Sequence, residues 1–184
     1  MLAAITQVLN QDSDTQVDVC MTSEMARRIE LWTAMYEDNA PWVDRKKVKS
    51  AQLPAAIASE VARLVTLEMK SEITGGSSAT YLNEQYQKKV LKSIRRYVEY
   101  GCAKGGLILK PYVTKTGLAI QYVQADCFFP LAFDDSGQIQ QCVFTEQFRK
   151  GQKIYTRLEV HTLQGEQIRI TNKAFVATND YSLG

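Results

Sequence analysis

Histidine is almost missing from this chain: His161 is the only one in 184 residues. Four cysteines (Cys20, Cys102, Cys127 and Cys142) are scattered, with no CxxC pair among them. Zinc sites need thiolates or imidazoles clustered at short spacing, so a structural zinc is not expected. A strong charge of one sign is also missing, since the formal net charge is +2. Dedicated nucleic-acid binders carry a larger basic excess, so any DNA contact must be local or weak. No apolar run approaches the roughly 18 residues that span a bilayer. The N-terminus lacks a basic region leading into a long apolar core, the pattern of a secretory signal. Scattered cysteines without an export signal suggest reduced thiols in a product made in the cytoplasm. No internal repeat at a fixed period stands out. What is present is an ordinary globular composition, 45% hydrophobic and 23% charged. The length suits one domain or slightly more and can bury a core without staples.

The first half has helical periodicity. Residues 2–9 (LAAITQVL) form a short amphipathic segment, and NQDSDTQ breaks it with polar turn formers. Thr22 or Ser23 can cap a helix starting near Glu24. Met25, Ile29, Trp32 and Tyr36 then recur on one helical face. The helix should stop before Pro41. The stretch DRKKVKS (44–50) places Arg45, Lys46, Lys47 and Lys49 on a loop. Such a run is either a solvated connector or a contact with phosphate or an acidic partner. Ser50 can cap the next helix, with Pro54 in its first turn and Leu53, Ile57, Val61, Leu64 and Val65 along one face. SEITGGSSAT (71–80) reads as a flexible linker. A third helix is expected over 81–100, with Leu82, Tyr86, Val90, Ile94, Tyr97 and Val98 as its apolar stripe. Lys88, Lys89, Lys92, Arg95 and Arg96 make its other side basic.

After residue 106 the pattern changes to runs rich in Val, Ile, Phe and Tyr, separated by TKTG, DDSG, RKG and LQG. Strands are expected over 107–113, 118–124, 127–133, 139–148, 152–160 and 166–176, joined as antiparallel hairpins. The expected fold class is therefore α+β, with N-terminal helices packed on an antiparallel meander. Residues 1–106 would form the helical part, with its linker near 71–80, and residues 107–184 the sheet part.

Chemistry-bearing constellations are sparse. The segment YVEYGCAKGGLILKPYV (97–113) holds Gly101, Gly105 and Gly106. A phosphate loop runs strand, glycine-rich turn with Gly-Lys-Ser/Thr, then helix, so that free amides face the anion. Here the order is helix, glycines, strand. These glycines read instead as the structural hinge where a helix ends in a left-handed residue and a strand begins close by. His161 stands alone on an expected strand, without a nucleophile or orienting acid at recognisable spacing. Asp134 and Asp135 in FDDSGQI suit a hairpin turn, and no third acid follows at calcium-loop spacing. A small hydrolase or nuclease would have to draw on Asp126, Asp134, Asp135 or His161. Tyr97, Tyr100, Tyr112 and Tyr122 read as core and sheet residues rather than base-stacking platforms. No catalytic residue, cofactor or metal site is expected, which favours a structural or interaction role over an enzyme.

The order of these segments resembles a known family. RRIELWTAMYED, the basic loop, AAIASEVARLVTLE, the linker, then YGCAKGGLILKPYV and IQYVQADCFFPLAFDDSGQI look like the N-terminal part of tailed-bacteriophage portal proteins. The closest group is that of long-tailed phages and prophages of Gram-positive bacteria. Residues 97–133 are the most specific stretch, and CVFTEQFRKGQKIYTRLEVH continues the likeness. The resemblance implies a wing-like piece of a subunit that assembles, usually as a dodecamer, at one vertex of the capsid. Double-stranded DNA passes through such a ring during packaging and ejection. The implied partners are other portal subunits, the terminase large subunit, head-tail connector, scaffold and capsid proteins, with no membrane. The implied location is the virion. Members of that family are usually more than twice this long, so the resemblance implies an N-terminal fragment. A free-standing module that binds nucleic acid or a protein through the 44–50 loop is the alternative.

Overall fold

The change of sequence pattern at residue 106 is a change of secondary structure. In the computed structural model, among the described residues, every α-helix precedes Gly105 and every strand follows Gly106. The structure describes residues 2–11, 17–44, 46, 47, 49–115 and 117–176. The helices are α1 (Leu2–Asn10), α2 (Ser23–Tyr36), α3 (Leu53–Leu67), α4 (Ala79–Tyr86) and α5 (Ile94–Lys104). The strands are β1 (Leu107–Thr114), β2 (Gly117–Gln124), β3 (Phe128–Phe133), β4 (Ile139–Lys150), β5 (Lys153–Gln164) and β6 (Gln167–Val176). All pairings are antiparallel, and the fold is α+β.

Packing does not follow that linear division. β1 and β2 form a separate two-stranded sheet, while β3-β4-β5-β6 form a four-stranded meander. The chain has two compact units: Met1–Glu30 with Asp126–Gly184, and Leu31–Ala125. The first hairpin therefore belongs with the helices that precede it. The physical reason is local: β1 starts three residues after α5 ends, and the two pack on each other.

In the first unit, α1 lies on the meander. Ile5 and Leu9, four residues apart on one face of α1, are buried against Phe129, Leu131, Val143, Leu158 and Val160. Phe129, Val143 and Val160 are direct partners across three strands, so the register itself builds the core row. The C-terminal end of α1 leaves carbonyls without helical partners. Lys173 of β6 donates to two of them, Val8 O and Leu9 O, both at 3.2 Å. Asn10 holds the returning chain through paired bonds with the Val17 backbone. At the β3-β4 turn, the Asp134 carboxylate accepts from Ser136 N, Ser136 Oγ, Gln138 N and Gln140 Nε2. The bonds from Ser136 and Gln138 come first in holding that carboxyl below its ordinary value.

In the second unit, α3 packs on α5 and α5 on the β1-β2 hairpin. The helix expected over 81–100 is instead α4, a π-helical turn at Gln87–Leu91, and α5 continuing to Lys104. A π turn takes carbonyls off the α-helical ladder. Tyr122 of β2 donates its hydroxyl to Lys89 O at 2.7 Å, and Lys89 Nζ donates to Leu118 O. The break thus coincides with the place where the neighbouring hairpin bonds the helix. Tyr97 stacks on Tyr122 with centroids 3.6 Å apart, and Tyr97 and Tyr36 both meet Tyr100 edge to face.

Two cap expectations resolve differently. Thr22 is the cap of α2, its Oγ1 accepting from Met25 N at 3.1 Å. Ser50 does not cap α3. It lies two residues before the cap position, its Oγ accepting from Gln52 N, and Gln52 itself stands at the helix start in the left-handed region, φ 50°. Pro54 lies in the first turn, as expected.

Candidate interaction surface

Helix α3 carries the stripe legible in the sequence, turned the opposite way from a core helix. Its buried residues are the small ones, Ala58 and Ala62. Small side chains let the helix sit close to α5 but leave little apolar area there to bury. The large residues of the stripe, Leu53, Ile57, Val61, Leu64 and Val65, are all exposed, Ile57 at 63% and Leu64 at 58%. Leu67 continues the exposed band. These six side chains form one exposed apolar band along the helix, the kind of surface that often serves for interaction. Within this band Glu60 is held by a bidentate contact with Arg63 three residues on.

The N-terminal end of the stripe opens into a small cavity of about 180 Å³. Met35, Ala40, Trp42, Val43, Leu53 and Pro54 give it an apolar lining. Trp42 is 65% exposed although large and apolar. Two lining residues, Asp38 (φ 57°) and Gln52 (φ 50°), are left-handed without being glycine. That conformation costs free energy in most side chains and is concentrated at functional sites.

The basic loop joins two sides of the same cavity, through Val43 and Ser50. Lys46, Lys47 and Lys49 are exposed, and Arg45 lies outside the described residues. Asp44 accepts from Lys46 N and pairs with Lys47 at 3.1 Å. Both partners of that pair are largely solvated, so it contributes little to stability. The loop thus carries exposed positive charge between two chain segments, ending at Val43 and starting at Ser50, that line the opening. Sequence reasoning singled out the lysines and missed the cavity, because Met35, Ala40 and Trp42 meet Leu53 only through the fold.

The three glycines form the joint between α5 and β1. Gly105 is left-handed, φ 84°, and its amide donates to Gly101 O at 2.9 Å. A Cβ on Gly105 would stand 3.1 Å from the Trp32 ring, and one on Gly101 would stand 3.3 Å from Leu107 Cβ. Gly106 has ordinary clearance, so the close approach falls at Gly101 and Gly105.

The side chains that a hydrolase would need are placed as follows. Asp134 is occupied by its turn. His161 faces Cys142 across the β4-β5 pair, three residues or roughly 10 Å into β4 from its start at Ile139. Its ring contacts Phe144 edge to face and hydrogen-bonds Glu159, two residues earlier on the same strand face, at 2.7 Å. Glu159 was not singled out in the sequence, although the i, i+2 spacing on a strand would have brought it to His161. Asp126 lies in the 3-10 turn Ala125–Cys127. Among the described residues, no group of three histidine, cysteine or acidic side chains is arranged to hold a metal ion. No described helix is long and apolar enough to cross a membrane.

A second recess, wider and about 800 Å³, is lined by Lys70, Glu72, Asn83, Glu84 and Lys88 among others. Its charges are of both signs, and Asn83 is engaged with both backbone groups of Ile73. On the basic side of α4 and α5, Lys88 pairs with Glu84, Lys89 turns inward to β2, and Arg96 lies over the Tyr100 ring.

The fold and this surface define an α+β protein with an outward-facing apolar helix beside a basic loop. Comparison with protein-family models, curated proteins and solved structures finds no match to the chain.

Proposed function

We propose that this chain is a structural, non-enzymatic assembly component, a wing-like part of a tailed-phage portal located at the capsid vertex of the virion. The observation that carries the reading is the outward face of α3, where Leu53, Ile57, Val61, Leu64 and Val65 are exposed while Ala58 and Ala62 are buried. A protein whose role is to pack against neighbours has a use for such a face. The order of elements supports the particular family: helices, a glycine joint, a hairpin and a meander follow one another as the resembling segments require. The partners on this reading are other portal subunits, the terminase large subunit, connector, scaffold and capsid proteins, and the DNA that crosses the ring. A second reading, a free-standing module acting through the 44–50 loop, draws on the exposure of Lys46, Lys47 and Lys49.

The test is quantitative mass spectrometry of purified phage particles from cells carrying this sequence. The portal reading expects peptides of this chain in the particles at about a dozen copies, in keeping with a ring of cyclic symmetry. Particles that lack the chain, while the cells contain it, would overturn the reading.

A further inference from the structure

We propose that the α3 face and the cavity at its N-terminal end form one groove for an amphipathic helix of a protein partner. One bulky apolar residue of the partner fills the cavity, and acidic residues beside that anchor face Lys46, Lys47 and Lys49. The inference rests on the reading of α3 as an assembly surface and adds the chemistry of what docks there.

Size and shape select the occupant. The fifteen residues of α3 span about 22 Å, enough for four turns of a partner helix lying along it. The exposed band from Leu53 to Leu67 is continuous with the cavity, since Leu53 belongs to both. A volume of about 180 Å³ suits a single large side chain, given that a cavity of about 150 Å³ takes up benzene. Anchoring by one buried residue, with further contacts at i+3, i+4 and i+7, is how helices bind apolar grooves. Asp38, where the chain leaves α2, and Gln52, where it enters α3, are both left-handed and set the directions in which the chain runs past the cavity.

Charge selects among helices. From Trp42 to Leu53 the chain carries Arg45, Lys46, Lys47 and Lys49 against one carboxylate, Asp44. An acidic flank on the partner meets this rim favourably and fixes the direction in which the helix lies. A second copy of α3 offers on that face only Glu60, which pairs with Arg63, and Glu68, eight residues apart, rather than a cluster of acids beside one anchor. Nucleic acid would satisfy the lysines but leave the apolar band uncovered.

The test uses the 184-residue chain and a fluorescent, end-capped 18-residue helical peptide. The probe has Leu at i, i+3, i+4 and i+7, one Trp as anchor, and three Glu beside the Trp; a control probe carries three Lys there. Anisotropy titrations should show the acidic probe binding at least tenfold tighter than the basic one, with affinity falling as salt rises. Ile57→Gln with Leu64→Gln should weaken binding at least tenfold while circular dichroism stays unchanged. Lys46→Glu with Lys47→Glu should narrow the gap between the two probes. The proposal is overturned if both probes bind alike or not at all, or if the α3 variant binds as the unaltered chain does. Displacement of the probe by a double-stranded oligonucleotide would assign the rim to nucleic acid instead. Self-association that the α3 variant abolishes would assign the face to a second copy. The particle measurement stands apart from these results: a chain present in particles that does not discriminate the probes loses the groove and keeps the assembly role.

Discussion

Two short helices with the same kind of amphipathic pattern meet opposite fates in this molecule. In α1, Ile5 is 1% exposed and Leu9 is buried, both lying against the four-stranded meander. In α3, Ile57 and Leu64 also share one face, yet both point outward, and the alanines take the inner side. The pattern fixes which residues share a face. It does not say whether the chain's own elements cover that face. α1 has a wide sheet to lie on, whereas the main partner of α3 is one helix, α5, which the small residues approach. The first unit is thus held by large apolar side chains. The second relies more on tyrosine contacts, a glycine joint and hydrogen bonds to a π turn.

The sharpest break of this comparison is a cavity in the first core. Leu158 is completely buried, and Leu158→Ala should cost about 2–5 kcal/mol in urea unfolding, because the surrounding sheet cannot collapse to fill the space. A loss below about 1 kcal/mol would mean that the meander core is not packed as described.

Next in size is the joint of the second unit. Gly105→Ala puts a Cβ on a left-handed residue and pushes it to within 3.1 Å of Trp32. A loss of about 1–3 kcal/mol is expected, together with a change in tryptophan fluorescence. If the substitution is neutral in both readouts, Gly105 is not the left-handed end of α5.

A smaller effect is expected at alkaline pH. Burial, reinforced by the hydrogen bond and charge of Glu99, raises the Tyr36 hydroxyl above its ordinary value. A group whose folded pKa is raised contributes stability that is fully present below its unfolded pKa and lost as pH rises through the folded one. Stability should therefore fall above about pH 10, where unfolded tyrosine ionises. Tyr36→Phe should flatten that fall, as measured by urea midpoints across the pH range. An unchanged slope would show that Tyr36 is not shielded beside Glu99.

What could be read from the sequence was local. Thr22 as a cap, the turn built on Asp134 and the helix-to-strand order around Gly105 depend on neighbours within a few residues. The strand from 118 to 124 appears as Gly117–Gln124 and that from 166 to 176 as Gln167–Val176, because alternation and turn residues mark them directly. The π turn was hidden, and its hydrogen-bond partner Tyr122 lies more than thirty residues further on. The separation of the first hairpin from the meander was hidden for the same reason: both read simply as strands in series. In the candidate site the lysines of the loop were visible as a run of charge. The cavity beside them and the outward turn of α3 were not, because both depend on what the rest of the fold leaves uncovered.

The central claim is that the large residues of α3 face outward. The most direct measurement is urea unfolding of the Ile57→Gln/Leu64→Gln variant beside the unaltered chain. Glutamine is a good helix former, so substitution at truly exposed positions should leave stability within about 0.5 kcal/mol. A loss of several kcal/mol would contradict the account, because it would mean that this face is part of the core.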